Sequence, residues 1–142
     1  MNSQITTSTK AAEIKRAWHL IDMKEATLGR VSSKIAQLLM GKAKPYFVRT
    51  LDCGDYVVVI NAKDVKVTGK KEEQKKYYRH SGYPGGFKVA TLKEKRAEKP
   101  GDIVTHAVSG MLPQNKLRAS MLKRLFVFAG AEHKYADKLK QI

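Results

Sequence analysis

Apolar residues in the first third of the chain fall at helical spacing and define one buried stripe. That stripe consists of Leu28, Val31, Ile35, Leu38 and Leu39. Thr27 is suited to cap the start of this helix, and Gly41, with Pro45 beyond it, is suited to end it. The pattern therefore predicts a helix that follows Thr27 and runs through Met40.

Short apolar segments on either side of that helix have strand character. The segment Trp18–Asp22 predicts a first strand, and Tyr56–Ile60, with four β-branched residues, predicts a strand covered on both faces. Val65 and Val67 alternate with a polar residue and predict a half-exposed strand. Residues 70–76 (KKEEQKK) are polar throughout, so we expect a solvated loop there.

Helix signals alternate with helix breakers in the second half. Thr91 followed by Glu94 matches a capping box and predicts a helix that ends at residues 100–101. Asp102 is expected to cap the next helix, which the glycine and proline of residues 110–113 should break.

The chain closes with one more helix and one more strand. Asn115 is expected to cap the helix, and residues 126–128 (FVF) predict a short strand. The alternation of strands and helices along the chain predicts an α/β layered fold. The length fits one domain, so we expect a flexible polar tail over residues 1–14 and a single α/β domain over residues 15–142, ending in a basic C-terminal extension.

The charge balance points to the class of partner. Of 142 residues, 28 are Lys or Arg and 13 are Asp or Glu, giving a formal net charge of +15. Nucleic acid is the first choice of partner because each neutralised phosphate releases a counterion. A membrane surface is the rival, but the basic amphipathic helix with bulky aromatics that it needs is not evident. Solubility alone does not call for twice as many bases as acids.

No group of residues in the sequence has the spacing that catalysis or metal binding needs. Gly69 and Lys70 resemble the end of a phosphate loop, but the glycine five positions earlier is missing and Lys71 replaces the Ser or Thr. The four histidines show no helical pairing, and Cys53 is the only cysteine. Asp55, beside a tight turn, is expected to accept backbone hydrogen bonds. We expect no enzyme activity, no metal, no cofactor and no small-molecule substrate.

The segment KKYYRHSGYPGG, residues 75–86, combines cations, tyrosines, a histidine and a glycine-rich loop. Aromatic faces stack on unpaired bases, arginine pairs with phosphate, and glycines let a backbone approach a sugar–phosphate chain closely. For Tyr77 and Tyr83 taken singly, a place at the edge of the core is the alternative. The residues of this segment predicted to bind RNA are Lys75, Lys76, Tyr78, Arg79, His80, Ser81, Gly82, Tyr83, Gly85 and Gly86.

Further cations extend the predicted surface. No acidic residue occurs between Gly110 and Gly130, which favours phosphate binding over a merely solvated helix face. The other residues predicted to bind RNA are Arg30, Lys42, Lys44, Lys70, Lys71, Lys88, Lys116, Arg118, Lys123, Arg124, His133 and Lys134.

Several segments, in this order, resemble the bacterial form of the large-subunit ribosomal protein family L13. They are WxxxD from Trp18, TLGR from Thr27, GDYVVVINA from Gly54, VTGK from Val67, YYRHSGYPGG from Tyr77, AVSGMLP from Ala107 and AGAEH from Ala129. The resemblance covers nearly the whole chain. The chain departs from the family after the Met-Leu-Pro turn, where the family often has Leu-Gly-Arg and this chain has Leu117-Arg118-Ala119. The arginine is therefore displaced by one position, which corresponds to a rotation of about 100° around a helix.

The resemblance implies a three-layer α/β/α domain with a central mixed β-sheet. It implies a structural role in the large ribosomal subunit, in which the protein binds large-subunit ribosomal RNA, adjoins neighbouring large-subunit proteins and assists early assembly. The implied location is the bacterial cytoplasm, with an organelle matrix as the alternative. The competing function is a sequence-neutral nucleic-acid-binding protein outside the ribosome, although no helix-turn-helix or basic-zipper pattern is apparent.

Overall fold

Three parallel strands form the central sheet. The computed structural model describes residues 9–24 and 26–139. Strands β1 (Trp18–Asp22), β2 (Tyr56–Ile60) and β5 (Leu125–Val127) lie side by side in the order β1-β2-β5. Because β2 is the middle strand and both of its faces are covered, residues 57–59 are fully buried. The β-branched run thus occupies the place that its composition predicts.

One face of the sheet is covered by helices. Helix α1 (Leu28–Met40) ends at Gly41 in the left-handed conformation, as predicted. It packs beside α4 (Pro100–Met111), while α5 (Leu117–Leu122) adds Met121 to the same core. The buried contacts that join α1, α4 and β2 involve Ile35, Leu39, Val57, Val59, Val104 and Val108.

The opposite face of the sheet carries a thinner layer made of aromatic rings and a short helix. Trp18 stacks on Tyr56 with ring centroids 4.4 Å apart, and Phe126 lies 4.4 Å from Tyr135 by the same measure. Helix α6 (Ala136–Leu139) follows directly and contacts β1. The sheet is therefore enclosed by helices on one side and by this aromatic layer on the other.

A two-stranded antiparallel ribbon, β3 (Lys76–His80) paired with β4 (Phe87–Thr91), is separate from the central sheet. It is preceded by α2 (Lys71–Gln74) and followed by α3 (Leu92–Glu98). These two helices contact each other, so the two ends of the ribbon are held together at its base.

Side-chain contacts hold α2 and α3 in place. The capping box predicted for α3 is confirmed, because Glu94 N donates to Thr91 Oγ1 at 3.3 Å and Thr91 N donates to Glu94 Oε2 at 2.8 Å. Arg96 of α3 donates to both carboxylate oxygens of Glu72 on α2, at 2.8 and 2.9 Å. The guanidinium also reaches the backbone carbonyls of Lys63 and Val65.

Two expectations about residues 65–76 are wrong. Val65 and Val67 belong to no strand; Lys66, between them, forms only an isolated bridge with Thr27. The expected loop at residues 70–76 contains the exposed helix α2 and the first residue of β3. Lys76 belongs to a strand because it pairs with β4, and Val65 and Val67 lack such a partner strand; local polarity reports neither fact.

The boundary between α3 and α4 also differs from expectation. Helix α3 ends at Glu98, two residues before Pro100 and close to the expected end. Pro100 is also the first residue of α4, because proline at the first helical position gives up an N–H that has no partner there anyway. Asp102 consequently lies in the first turn of α4 and does not cap it. The helix continues through Gly110 and ends at Met111.

The α/β class is confirmed, with parallel pairing in the central sheet and antiparallel pairing in the ribbon. Residues 1–8 of the predicted flexible tail, and residues 140–142 of the predicted C-terminal extension, lie outside the described residues. Within the rest of the predicted tail, Ala11–Glu13 form a short 3-10 helix, and the Thr9 hydroxyl donates to the Tyr46 carbonyl at 3.0 Å.

Candidate RNA-binding surface

The loop between β3 and β4 is a tight turn that needs glycine. Gly82 and Gly85 have φ angles of +86° and +71°, a region that other residues rarely adopt. Ser81 N donates to the Gly86 carbonyl at 3.1 Å, and Gly86 N donates to the Tyr83 carbonyl at 2.9 Å. The turn therefore closes on itself and leaves Tyr83, 76% exposed, at the tip of the ribbon.

The ribbon displays cations with no acidic residue between them. The sequence contains no Asp or Glu between Lys75 and Lys93. Within the part of the chain that the structure describes, none of the ribbon cations forms an ion pair. Their side chains are therefore open to an external anion. The exposed basic residues of the ribbon and its base are Lys75, Lys76, Arg79, His80 and Lys88.

The inner face of the ribbon packs against the body of the protein. The Tyr77 ring meets the His106 ring of α4 edge to face, with centroids 5.3 Å apart. Burial raises the pKa of the Tyr77 phenol, and Arg96 offsets part of that effect. Tyr77 is thus a residue at the edge of the core, in agreement with the alternative reading, whereas Tyr83 is exposed.

The outer face of the ribbon presents aromatic and aliphatic side chains to solvent. Tyr78 and Phe87 are 66% and 59% exposed and stack on each other with centroids 5.8 Å apart. Val89, directly opposite Tyr78, is 45% exposed. Sequence reasoning missed Phe87. Its alternation with Val89 after the glycines is typical of a strand with one apolar face, and that signal could have found it.

A groove of about 530 Å³ brings three predicted residues together from separate parts of the sequence. Arg30 of α1, Lys71 of α2 and Lys75 at the start of the ribbon line it, and no acidic side chain does so among the described residues. Gly29 and Gly110 lie in the lining, and a β-carbon on either would meet no other atom within 4 Å. The groove is thus open, positively charged and continuous with the base of the ribbon.

A second groove, of about 670 Å³, lies between the ribbon and helices α3 and α4 and has a mixed charge. Arg79 and Lys88 contribute to one wall, and Glu94, Glu98 and Asp102 contribute acidic groups to the helical side. A polyanion in this groove would meet carboxylates. The first groove and the outer face of the ribbon are therefore the favourable places for phosphate.

Other predicted residues lie apart from the ribbon along the sequence. Lys42 joins Arg49 beside a smaller, mainly apolar pocket of about 240 Å³ that Met121 also lines. Lys116 and Lys123 flank α5 and are exposed. Lys42 and Arg49 thus form a separate basic patch just after α1.

The remaining predicted residues are scattered. Arg118 on α5 is half-buried, and Lys70, just before α2, is exposed. His133 lies with its ring centroid 6.1 Å from that of Phe128, next to the exposed Lys134. None of these four residues lines the grooves described above.

The prediction that Arg124 binds RNA needs correction. Its side chain is buried, and the guanidinium forms a two-pronged ion pair with the Asp52 carboxylate. The same guanidinium donates to the carbonyls of Leu39 at 3.1 Å and Asp55 at 3.3 Å. Because these internal acceptors occupy the guanidinium, Arg124 anchors residues 52–55 to the core and is not available to phosphate.

Lys44 needs the same correction. Its ammonium group donates to the carbonyls of Lys15 at 2.7 Å and Cys53 at 2.9 Å, and it pairs with the Asp55 carboxylate. An ammonium group has three donors, so these contacts use all of them. Lys44 therefore joins the segment before β1 to the loop before β2.

Asp55 is the centre of this anchor network. Burial alone would raise the pKa of its carboxyl, but hydrogen bonds from Lys44, the Ala17 N–H and His19 outweigh burial and lower that pKa. The Ala17 N–H bond measures 3.0 Å and the His19 contact 2.9 Å. The backbone donor to Asp55 is therefore Ala17, 38 positions away in sequence, and not an N–H of the adjacent turn as expected; the carboxylate also contacts Lys44 and His19.

Residues 9–24 and 26–139 hold no cluster of side chains suited to a metal ion. His, Cys, Asp and Glu nowhere gather there in a group of three suited to a metal ion. Cys53 is a buried free thiol. Among the described helices, none has both the length and the apolar character needed to cross a membrane.

Comparisons with known proteins show to which family the chain belongs. The family model described as Ribosomal protein L13 matches residues 16–134. The large ribosomal subunit protein uL13 of Dehalococcoides mccartyi is 52% identical over 132 residues, covering 93% of this chain and 92% of the relative. The uL13 of Dictyoglomus thermophilum is 49% identical over 138 residues, covering 96% and 97%. The resemblance is confirmed: the chain belongs to the ribosomal protein L13 family.

Proposed function

We propose that this protein is a structural constituent of the large ribosomal subunit that binds large-subunit ribosomal RNA and assists early subunit assembly. Relatives of about half identity over nearly their whole length carry the name of a large-subunit protein, which supports this proposal. A member of a ribosomal protein family is a structural component rather than an enzyme. In a bacterial-type ribosome its place of action is the cytoplasm.

The observation that carries the proposal is the acid-free basic surface of the ribbon and the adjoining groove. Lys76 on the ribbon, and Arg30 with Lys71 in the groove, are cations without ion-pair partners among the described residues. Arg79 and Lys88 also form no ion pair there, but they line the second groove, which has acidic groups on its helical side. Each contact with a phosphate releases counterions, so the binding energy is largely electrostatic. A rigid scaffold that holds these groups in fixed positions favours one folded RNA shape over others.

Selectivity for RNA follows from shape more than from base edges. The deep major groove of A-form RNA hides base edges from side chains, so 2′-hydroxyl and phosphate contacts decide binding. The glycine-rich tip of the ribbon lets the backbone near Gly82 and Gly85 approach a sugar–phosphate chain. Neighbouring large-subunit proteins are the second class of partner.

Two measurements test the proposal. Sucrose-gradient sedimentation of a cell extract should place the protein with the large subunit. Purified protein should bind a large-subunit ribosomal RNA transcript with an affinity that falls steeply between about 50 and 200 mM salt. Random duplex DNA of similar length is the control. Equal affinity for that DNA, together with absence from the large-subunit fraction, would favour the sequence-neutral binding protein instead.

A further inference from the structure

The outer face of the ribbon has a feature that the fold does not use. Tyr78 and Phe87 lie on neighbouring strands, with ring planes inclined by 14° and centroids 5.8 Å apart. Both side chains are more than half exposed. An exposed aromatic cluster on a surface that is otherwise charged marks a site of interaction.

Strand alternation explains why these rings remain outside the core. Successive side chains of a strand point to opposite faces, so Tyr77 packs inward against His106 while Tyr78 points outward. Lys76 and His80 share the outer face with Tyr78, and Phe87 stands opposite His80 in the strand register. Two aromatic rings are thus bordered by a cation at one end and a histidine at the other.

The chemistry around the rings indicates the kind of partner. An apolar protein surface would gain little from a border of cations, whereas a nucleic acid offers flat bases together with phosphates. No acidic residue lies on either strand or on the turn between them. Charge complementarity therefore favours a polyanion that carries exposed rings.

Resting on the proposed function, we propose that Tyr78 and Phe87 form a stacking platform for an unpaired base of the bound RNA. Lys76, which lies on the same face as the two rings, then binds a phosphate next to that base. Bases within a continuous helix are already stacked on one another, so the platform requires a loop, a bulge or a strand end. This assigns a binding role to Phe87 and selects single-stranded over duplex elements at this site.

The test separates ring stacking from simple apolar contact. Phe87→Leu and Tyr78→Leu keep apolar bulk but remove the flat ring, while Tyr78→Phe keeps the ring and is the matched control. We expect each leucine variant to lose about tenfold in affinity for the ribosomal RNA transcript, a loss within the range found when an aromatic ring that stacks on a base is removed. The salt dependence should stay unchanged because no charge is lost. Tyr78→Phe should bind like the parent protein.

A second readout reports stacking directly. A short single-stranded RNA containing 2-aminopurine should lose fluorescence on binding the parent protein, and the Phe87→Leu variant should abolish that quenching. The emission of Trp18, the only tryptophan, reports whether each variant is folded. The same RNA annealed to its complement should show little quenching by either protein.

Three outcomes would overturn the platform or its premise, and each is distinct. If both leucine variants bind the transcript with parental affinity, the stacking platform is refuted, but the proposed RNA binding is not. Parental affinity combined with reduced incorporation into large subunits would assign the face to a protein neighbour instead. If the parent protein fails to bind the transcript at all, the proposed function fails, and the platform fails with it.

Discussion

The loop that precedes β2 and the β3–β4 ribbon are both rich in cations, yet they use them in opposite ways. In the loop region, Arg124 and Lys44 are bound to carboxylates and backbone carbonyls inside the protein. On the ribbon, Arg79 and Lys88 have no ion-pair partner among the described residues. The same side-chain chemistry therefore holds the fold together in one region and remains free to bind a partner in the other.

The difference depends on where acidic residues lie in space. Asp52 reaches Arg124 across 72 positions of sequence, and Glu72 reaches Arg96 across 24. A cation becomes an anchor when folding places a carboxylate beside it and removes both from water. The charges of residues adjacent in sequence do not reveal such an ion pair. The sequence around Arg124 contains no acidic residue, and neither does the ribbon.

The largest expected effect is on the anchor side. Arg124→Met should lower the free energy of unfolding by about 3–5 kcal/mol, because it leaves the Asp52 carboxylate without its main buried partner. Urea unfolding followed by Trp18 fluorescence measures this. Folded Arg124→Met protein should bind the RNA transcript with parental affinity; a specific loss of affinity would show that Arg124 contacts RNA after all.

A smaller effect with a defined pH dependence is expected at Asp55. Its lowered pKa means that the charged Asp55 carboxylate stabilises the fold fully above its unfolded-state pKa, near 3.8, and loses that contribution as the pH falls through the lower folded-state value. Asp55→Asn should therefore destabilise the protein by about 1–3 kcal/mol at neutral pH.

Unfolding measured from pH 7 down to about pH 3 checks the sign of this effect, because that range crosses the unfolded-state pKa of the aspartate. The difference in stability between the parent protein and Asp55→Asn should shrink at the acid end of that range. A difference that stays constant across the range would mean that the Asp55 charge contributes nothing, and that the side chain acts only through its shape and neutral hydrogen bonds.

The smallest effect on stability is expected for the free cations. Arg79→Ala and Lys123→Ala should each change the free energy of unfolding by no more than about 0.5 kcal/mol, since they are exposed surface positions. Each should weaken RNA binding and lower the salt slope by about one for each phosphate contact removed. Lys63→Ala, another exposed lysine, provides the control. If both variants unfold while the folded fraction binds RNA with parental affinity, Arg79 and Lys123 are structural anchors, and the difference between anchoring and free cations is contradicted.

Local signals predicted much of the fold. Helix α1 between Thr27 and Gly41, strand β2, and the capping box of Thr91 and Glu94 all follow from spacing and end residues. Strand β4 was not predicted, because its identity depends on pairing with β3 and not on its own composition. The start of α4 at Pro100 was not predicted, because proline is compatible both with the end of one helix and with the first position of the next.

The candidate surface was predicted in its exposed part and misjudged in its buried part. The cations of the ribbon were recognised because they cluster locally with glycines and tyrosines. Lys44 and Arg124 were misassigned because burial and distant carboxylates are properties of the tertiary structure. Phe87 was overlooked because an apolar residue was not expected to face solvent.

The arrangement of the central sheet has a consequence for synthesis of the chain. Strand β2 lies between β1, which precedes it, and β5, which emerges from the translating ribosome only near the end of the chain. The ribbon, by contrast, pairs segments that are close neighbours in sequence and therefore closes quickly. In a nascent chain the basic β3–β4 ribbon can thus form while one edge of β2 is still unpaired, because β5 has not yet been synthesised.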